Sequence, residues 1–165
     1  MRRLIALGAN VSCCDRDVER GNALAKELGP KCLFVEMDAT KEADCKKAVD
    51  NTAAKFGNLW GAVNCAGIGA ATLTLDKKVA PHPSDVWDFV LKVNLYGTFN
   101  VCKYAAAAMA KNTPDENGLR GVLINVASVA ALEGQKGQVR RARLLKWLTQ
   151  TRARIRWPMP RPRAP

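Results

Sequence analysis

The sequence predicts an α/β fold with a parallel sheet in residues 1–138, followed by a disordered basic tail in 139–165. Three observations predict it. Short apolar runs recur along the body, and single helix-length amphipathic segments separate them. A connection of that length returns to the same sheet as a right-handed βαβ crossover, so the strands run parallel. Charge then divides the chain in two. It carries 26 basic and 15 acidic side chains, net +11, but nine of the basic and none of the acidic lie in 139–165. The body is therefore close to neutral, which argues against a built electrostatic groove for nucleic acid.

Taken in order, Val11 to Cys14 form a short apolar strand after Gly8-Ala9-Asn10. A helix follows over 18–28 on Val18, Ala23, Leu24 and Leu28, and Gly29-Pro30 stops it. Residues 32–35 are a second strand. Residues 41–56 read as a helix with Ala43, Ala48, Val49, Ala53 and Phe56 inward and Thr40 as its N-cap. A third strand, 59–64, ends in the turn Cys65-Ala66-Gly67. A loop containing Pro81 and Pro83 leads to a long helix over 84–111, then a polar connector over 112–118 and a last strand over 121–127. The tail has no acid and four prolines in its last eight residues, a composition that cannot build a core.

The six cysteines, Cys13, Cys14, Cys32, Cys45, Cys65 and Cys102, form no C-x-x-C pair, and His82 is the only histidine. No metal constellation follows from this. The thiols read as small apolar residues of a reducing compartment. No stretch approaches the ~20 apolar residues of a membrane span. The start of the chain has neither a cleavage site nor the composition of a signal or transit peptide.

Several residues invite a functional reading. Asp15 ends the first strand. In a doubly wound fold an acid there accepts hydrogen bonds from an adenosine ribose and repels a 2′-phosphate, selecting NAD over NADP; the alternative is an N-cap for the next helix. Asp38 and Ala39 follow the second strand, and Asp38 alternatively precedes the Thr40 cap. Asn64, Cys65, Ala66 and Gly67 end the third strand with small residues that let a ligand approach the backbone. Asn94 lies inside the long helix, where an amide competes with the backbone. Ser128 sits at the carboxyl end of the last strand, where open α/β sheets place their chemistry; a turn serine is its alternative.

The runs VNCAGI (63–68), VNLYGTFNV (93–101), PDENG (114–118) and GVLINVASVAALEGQKGQ (121–138) carry a resemblance. They resemble the short-chain dehydrogenase/reductase family, nearest its 3-hydroxyacyl-CoA dehydrogenase branch, which also oxidises hydroxysteroids. The resemblance covers roughly 4–138. It implies a partial Rossmann-type doubly wound sheet whose first strand and last strands are missing, NAD as cofactor, a small-molecule substrate and a homo-oligomer. It implies fatty acid metabolism in the mitochondrial matrix or the cytoplasm, with no membrane attachment. By the same resemblance Asp15, Asp38, Ala39, Asn64, Cys65, Ala66 and Gly67 bind the adenosine half of the cofactor. Ser128 polarises the substrate carbonyl, and Asn94 holds a water that relays protons.

The family's Tyr-x-x-x-Lys pair is replaced by Arg141 and Leu145, and its glycine-rich pyrophosphate turn has no counterpart. The chain is therefore expected to be inactive and to bind NAD weakly or not at all. In the order 3-2-1-4-5-6, loss of strand 1 leaves two strand pairs without a joining neighbour. An alternative reading is a non-enzymatic protein whose arginine tail, with Trp147 and Trp157, binds nucleic acid non-specifically. A simpler expectation is that 139–165 is translated intron and Met1 an internal start. Gln138-Val139-Arg140 is encodable by CAG followed by GTAAGA, which also spells a splice donor.

Overall fold

A computed structural model describes residues 1–70, 73–128 and 153–154. The element order is α1 (Arg2–Ala6), β1 (Val11–Asp15), α2 (Val18–Leu28), β2 (Cys32–Glu36), α3 (Glu42–Phe56), β3 (Gly61–Asn64), α4 (Ser84–Leu91), α5 (Thr98–Met109), β4 (Val122–Asn125) and β5 (Ala153–Arg154). A 3₁₀ turn, Gly29–Lys31, joins α2 to β2, and a π-helical turn, Lys92–Gly97, joins α4 to α5. The strands and helices expected from the sequence are present within a few residues of their anticipated ends.

The strands form two sheets. β1 pairs with β2 in parallel, from Val11 opposite Cys32 to Asp15 opposite Glu36. β3 pairs with β4 in parallel, from Gly61 opposite Val122 to Asn64 opposite Asn125. Among the described residues no ladder joins β1 to β3, so the two strand pairs stand apart. One expectation is corrected. The tail was expected to lack order throughout, yet Ala153–Arg154 pairs antiparallel with β4, Ala153 opposite Leu123 and Arg154 opposite Val122. The edge of β4 presents unpaired N–H and C=O groups, and a short extended segment of any composition satisfies them.

Local chemistry fixes each helix. Asp17 caps α2 by accepting from the Arg20 N–H at 3.0 Å. Gly21 lets α2 settle on β2, because a Cβ there would lie 2.0 Å from the Phe34 ring. The cap of α3 is Lys41, without a side-chain bond, and not Thr40. The Thr40 hydroxyl donates to the Asp38 carboxylate at 2.8 Å. Glu42 and Asp44 in the first turn of α3 complement its positive end.

Two apolar clusters hold the halves together. Val35, Met37, Ala39, Cys45 and Ala48 form one, with Val101 and Tyr104 of α5 packed against it. Ala105 and Met109 of α5 with Leu123 form the other, with Val49 of α3 packed against it. Helices α3 and α5 thus make one layer beneath both sheets. Lys103 Nζ and the Tyr104 hydroxyl both donate to Glu42 at 2.6 Å and tie the two helices together. The α3 face differs from the expected one. Ala43 is exposed and Cys45 is fully buried, because the helix must meet both the sheet and α5.

Candidate cofactor and active site

Each candidate site residue except Asn94 lies at the carboxyl end of a parallel strand or in the loop just beyond it. Asp15 is the last residue of β1 and is exposed. Its Oδ1 accepts from the Asp17 N–H at 3.0 Å, which orders the turn into α2. The cap itself is Asp17, so the cap alternative for Asp15 does not hold.

Asp38 follows β2 by two residues. Its Oδ1 accepts from the Thr40 N–H at 2.9 Å and the Thr40 hydroxyl at 2.8 Å. These two bonds hold its carboxyl below the usual carboxylate range, with smaller help from Arg16 and Lys41. Ala39 is buried beneath Gly97 of the π-helical turn. A Cβ on Gly97 would sit 2.9 Å from the Ala39 Cβ and 3.2 Å from its carbonyl oxygen. The long helix therefore presses directly on the loop after β2.

Asn64 ends β3 and is buried. Its Nδ2 donates to Asn125 Oδ1 at 2.8 Å and to Cys102 Sγ at 3.3 Å. The Asn64 carbonyl accepts from the Val126 N–H at 2.9 Å. Asn64 therefore locks β3, β4 and α5 together beneath the loop, and Cys65, Ala66 and Gly67 follow it in exposed positions. Sequence reasoning missed Cys102 and Asn125. Asn125 had a signal, a lone amide within an otherwise apolar strand.

Asn94 lies in the π-helical turn, a geometry that recurs at functional sites. Its Oδ1 accepts from the Ile68 N–H at 2.8 Å, and its Nδ2 donates to the Ile68 carbonyl at 2.9 Å. Its own carbonyl accepts from the Thr98 hydroxyl at 2.9 Å. The side chain is half-buried and bonds the backbone, as the alternative of an amide paired with a neighbouring carbonyl has it, and it clamps the loop after β3. A Cβ on Gly67 would lie 3.3 Å from Asn94 Oδ1, so glycine permits the clamp to close.

Ser128 is exposed three residues after β4. Arg141 and Leu145 lie outside the described residues, as does most of the tail on which a nucleic-acid reading rests. The buried thiols are held protonated. Burial, with neighbouring Cys13, Cys45 and Asp15, pushes Cys14 up to about 12. Among the described residues no group of three or more His, Cys, Asp or Glu side chains is placed to hold a metal ion. No helix among them is long and apolar enough to cross a membrane.

The arrangement resembles known proteins. A family model described as short chain dehydrogenase matches residues 1–140. The 3-hydroxyacyl-CoA dehydrogenase type-2 of Homo sapiens is 47% identical over 137 residues, 82% of this chain and 52% of that protein. Its counterpart from Drosophila melanogaster is 44% identical over 138 residues, 82% of this chain and 54% of that protein. The chain thus spans about half the length of these relatives. A crystal structure of 3-hydroxyacyl-CoA dehydrogenase type-2 from Mycobacterium avium superimposes with a TM-score of 0.83. It is 36% identical, and the match covers 89% of this chain and 58% of that one.

Proposed function

The chain belongs to the short chain dehydrogenase family, and from that membership we propose that it is the adenosine-binding half of an NAD-dependent alcohol oxidoreductase, without turnover of its own. The observation that carries this reading is the placement of Asp15, Asp38-Ala39, Cys65–Gly67 and Ser128 at or just beyond the carboxyl ends of β1, β2, β3 and β4, which pair in parallel within their two sheets.

The residues fit the adenosine half of the cofactor. Asp15 is exposed at the strand end where a ribose hydroxyl is received, and its charge disfavours a 2′-phosphate. Asp38, kept ionised by Thr40, accepts from the adenine amino group. The small residues Cys65, Ala66 and Gly67 let the ribose lie against the backbone, and Asn94 holds that loop in place through Ile68. The pyrophosphate lacks its usual glycine-rich turn at a helix N-terminus, so affinity is low. When bound, NAD supplies the hydride acceptor.

The substrate class follows the relatives: a 3-hydroxyacyl-CoA or a hydroxysteroid alcohol, with Ser128 donating a hydrogen bond to its oxygen. Proton transfer is where the chain fails. Arg141 stands at the tyrosine position, and a guanidinium stays protonated in proteins. Leu145, at the lysine position, has no charge with which to lower a neighbour's pKa.

The test combines turnover and binding. With NAD and a short 3-hydroxyacyl-CoA, the purified chain is expected to form no NADH beyond a Ser128→Ala control. Calorimetry is expected to give weak heats for NAD and weaker ones for NADP. NADH formation clearly above the control refutes inactivity. Equal binding of NADP, or tight NAD binding unchanged in Asp15→Ala, refutes the adenosine site.

A further inference from the structure

Two consecutive residues of α3 grip two consecutive residues of the loop after β2. Asp44 Oδ2 accepts from the Asp38 N–H at 3.1 Å. The Cys45 thiol donates to the Ala39 carbonyl at 3.6 Å. Asp44 is the third residue of α3, a position from which a side chain ordinarily reaches back to the cap residue. Here it reaches further, past Lys41 and Thr40.

That bond completes the account of where the polar groups of Asp38 go. Its N–H goes to Asp44. Its carbonyl accepts from the Lys41 N–H at 2.9 Å. Its Oδ1 accepts from the Thr40 N–H and the Thr40 hydroxyl. The remaining oxygen, Oδ2, therefore points where the loop directs it. One residue earlier the Met37 N–H donates to the Asp15 carbonyl at 3.0 Å, which keeps Asp38 in register with Asp15.

These bonds differ in what they anchor. Those from Thr40 and Lys41 are internal to the loop and travel with it. The bond to Asp44 ties the loop to a helix that is itself held in the core by Cys45 and Ala48. A backbone N–H bound by a carboxylate makes a charge-assisted bond, stronger than one between neutral groups. The negative charge of Asp44 also suits the first turn of a helix.

We propose that Asp44 is a positioning residue: by holding the Asp38 N–H it sets the Asp38 carboxylate against the amino group of an adenine, and so lets the chain tell adenine from hypoxanthine. The inference rests on the adenosine-site reading and adds to it the residue that aims the base contact. An ionised carboxylate only accepts hydrogen bonds. The adenine amino group donates to it. Hypoxanthine carries an oxygen at that place, and two acceptors repel. A loop released from α3 loses that discrimination even though Asp38 itself is intact.

The probes are NAD and nicotinamide hypoxanthine dinucleotide, each titrated to millimolar concentration against the full-length chain and followed by NMR. The wild type is expected to bind NAD roughly tenfold more tightly than the hypoxanthine analogue, the scale of one hydrogen bond to a charged group. Asp44→Ala is expected to shrink that preference to about twofold, chiefly by weakening NAD, and to speed amide exchange at Asp38. Asp44→Asn keeps an acceptor oxygen and is expected to keep the preference. A wild type that binds both dinucleotides alike, or neither, overturns the adenosine reading and this inference with it. A wild-type preference that survives in Asp44→Ala overturns the inference alone, as does a loss in Asp44→Asn as large as that in Asp44→Ala. Loss of the whole fold in Asp44→Ala also overturns it, because Asp44 then supports the domain and not the contact to the base.

Discussion

Replacing Asn94 by aspartate tests whether the π-helical turn holds the loop that follows β3. The wild-type amide makes two bonds to one residue, accepting from the Ile68 N–H and donating to the Ile68 carbonyl. Each bond is worth about 0.5–1.5 kcal/mol net, so Asn94→Ala is expected to cost about 1–3 kcal/mol. Ile68 is only half-buried, and water replaces part of the loss, which favours the lower half of that range. Asn94→Asp keeps the bond from the Ile68 N–H but sets a carboxylate oxygen against a carbonyl oxygen. At pH 7 its deficit is about 2 kcal/mol, from one lost bond and one new repulsion.

The pH dependence distinguishes the two variants. The carbonyl and partial burial raise the folded pKa of the new carboxyl above its unfolded value of roughly 3.9. Its protonated form restores the donor, so that stabilisation is fully present below the unfolded pKa and is lost as pH rises through the folded pKa. The Asn94→Asp variant therefore approaches wild type at pH 4 and falls away at pH 7, whereas Asn94→Ala keeps a constant deficit. Urea unfolding at the two pH values measures both, with amide exchange at Ile68 as the local readout. A deficit for Asn94→Asp that does not change with pH refutes the clamp, as does unchanged Ile68 exchange in Asn94→Ala.

Val79 adopts φ +63°, a left-handed conformation that costs a β-branched residue roughly 1–2 kcal/mol. Val79→Gly is expected to raise the thermal midpoint by a few degrees, and a fall measured by calorimetry contradicts the strain. Asn64→Ala leaves Asn125 Oδ1 without its 2.8 Å donor in the β3–β4–α5 core. It is expected to cost about 1–3 kcal/mol in urea unfolding and to speed exchange at 122–126; a neutral result sinks its role as a lock. Thr40→Val removes the hydroxyl that helps lower the Asp38 pKa. Stability from Asp38 is present above its unfolded pKa and is lost as pH falls through the lower folded value. The variant is expected to begin acid unfolding at higher pH than wild type, and coincident acid transitions refute this.

The parallel strands were legible because each lies over a helix layer and so reads as an apolar run, Cys32 to Val35 most plainly. What escaped the sequence lies where two elements compete for one residue. Thr40 has the chemistry of a helix cap, but its N–H and hydroxyl both turn back to the Asp38 carboxylate two residues earlier, and the helix starts one residue later, with Lys41 at the cap position. The inner face of α3 was drawn for one neighbour, yet the helix meets both the first sheet and α5, which buries Cys45 and exposes Ala43. Asn94 was legible as an anomaly in a helix but not as a clamp. The π-helical turn that aims it rests on the contact between Gly97 and Ala39, residues far apart in the chain that no local spacing connects. The same contact joins the loop after β2 to the helix that holds the loop after β3. The loops after β2 and β3 are therefore set by a single helix rather than by adjacent strands. This explains how they keep their places although, among the described residues, the two strand pairs share no ladder.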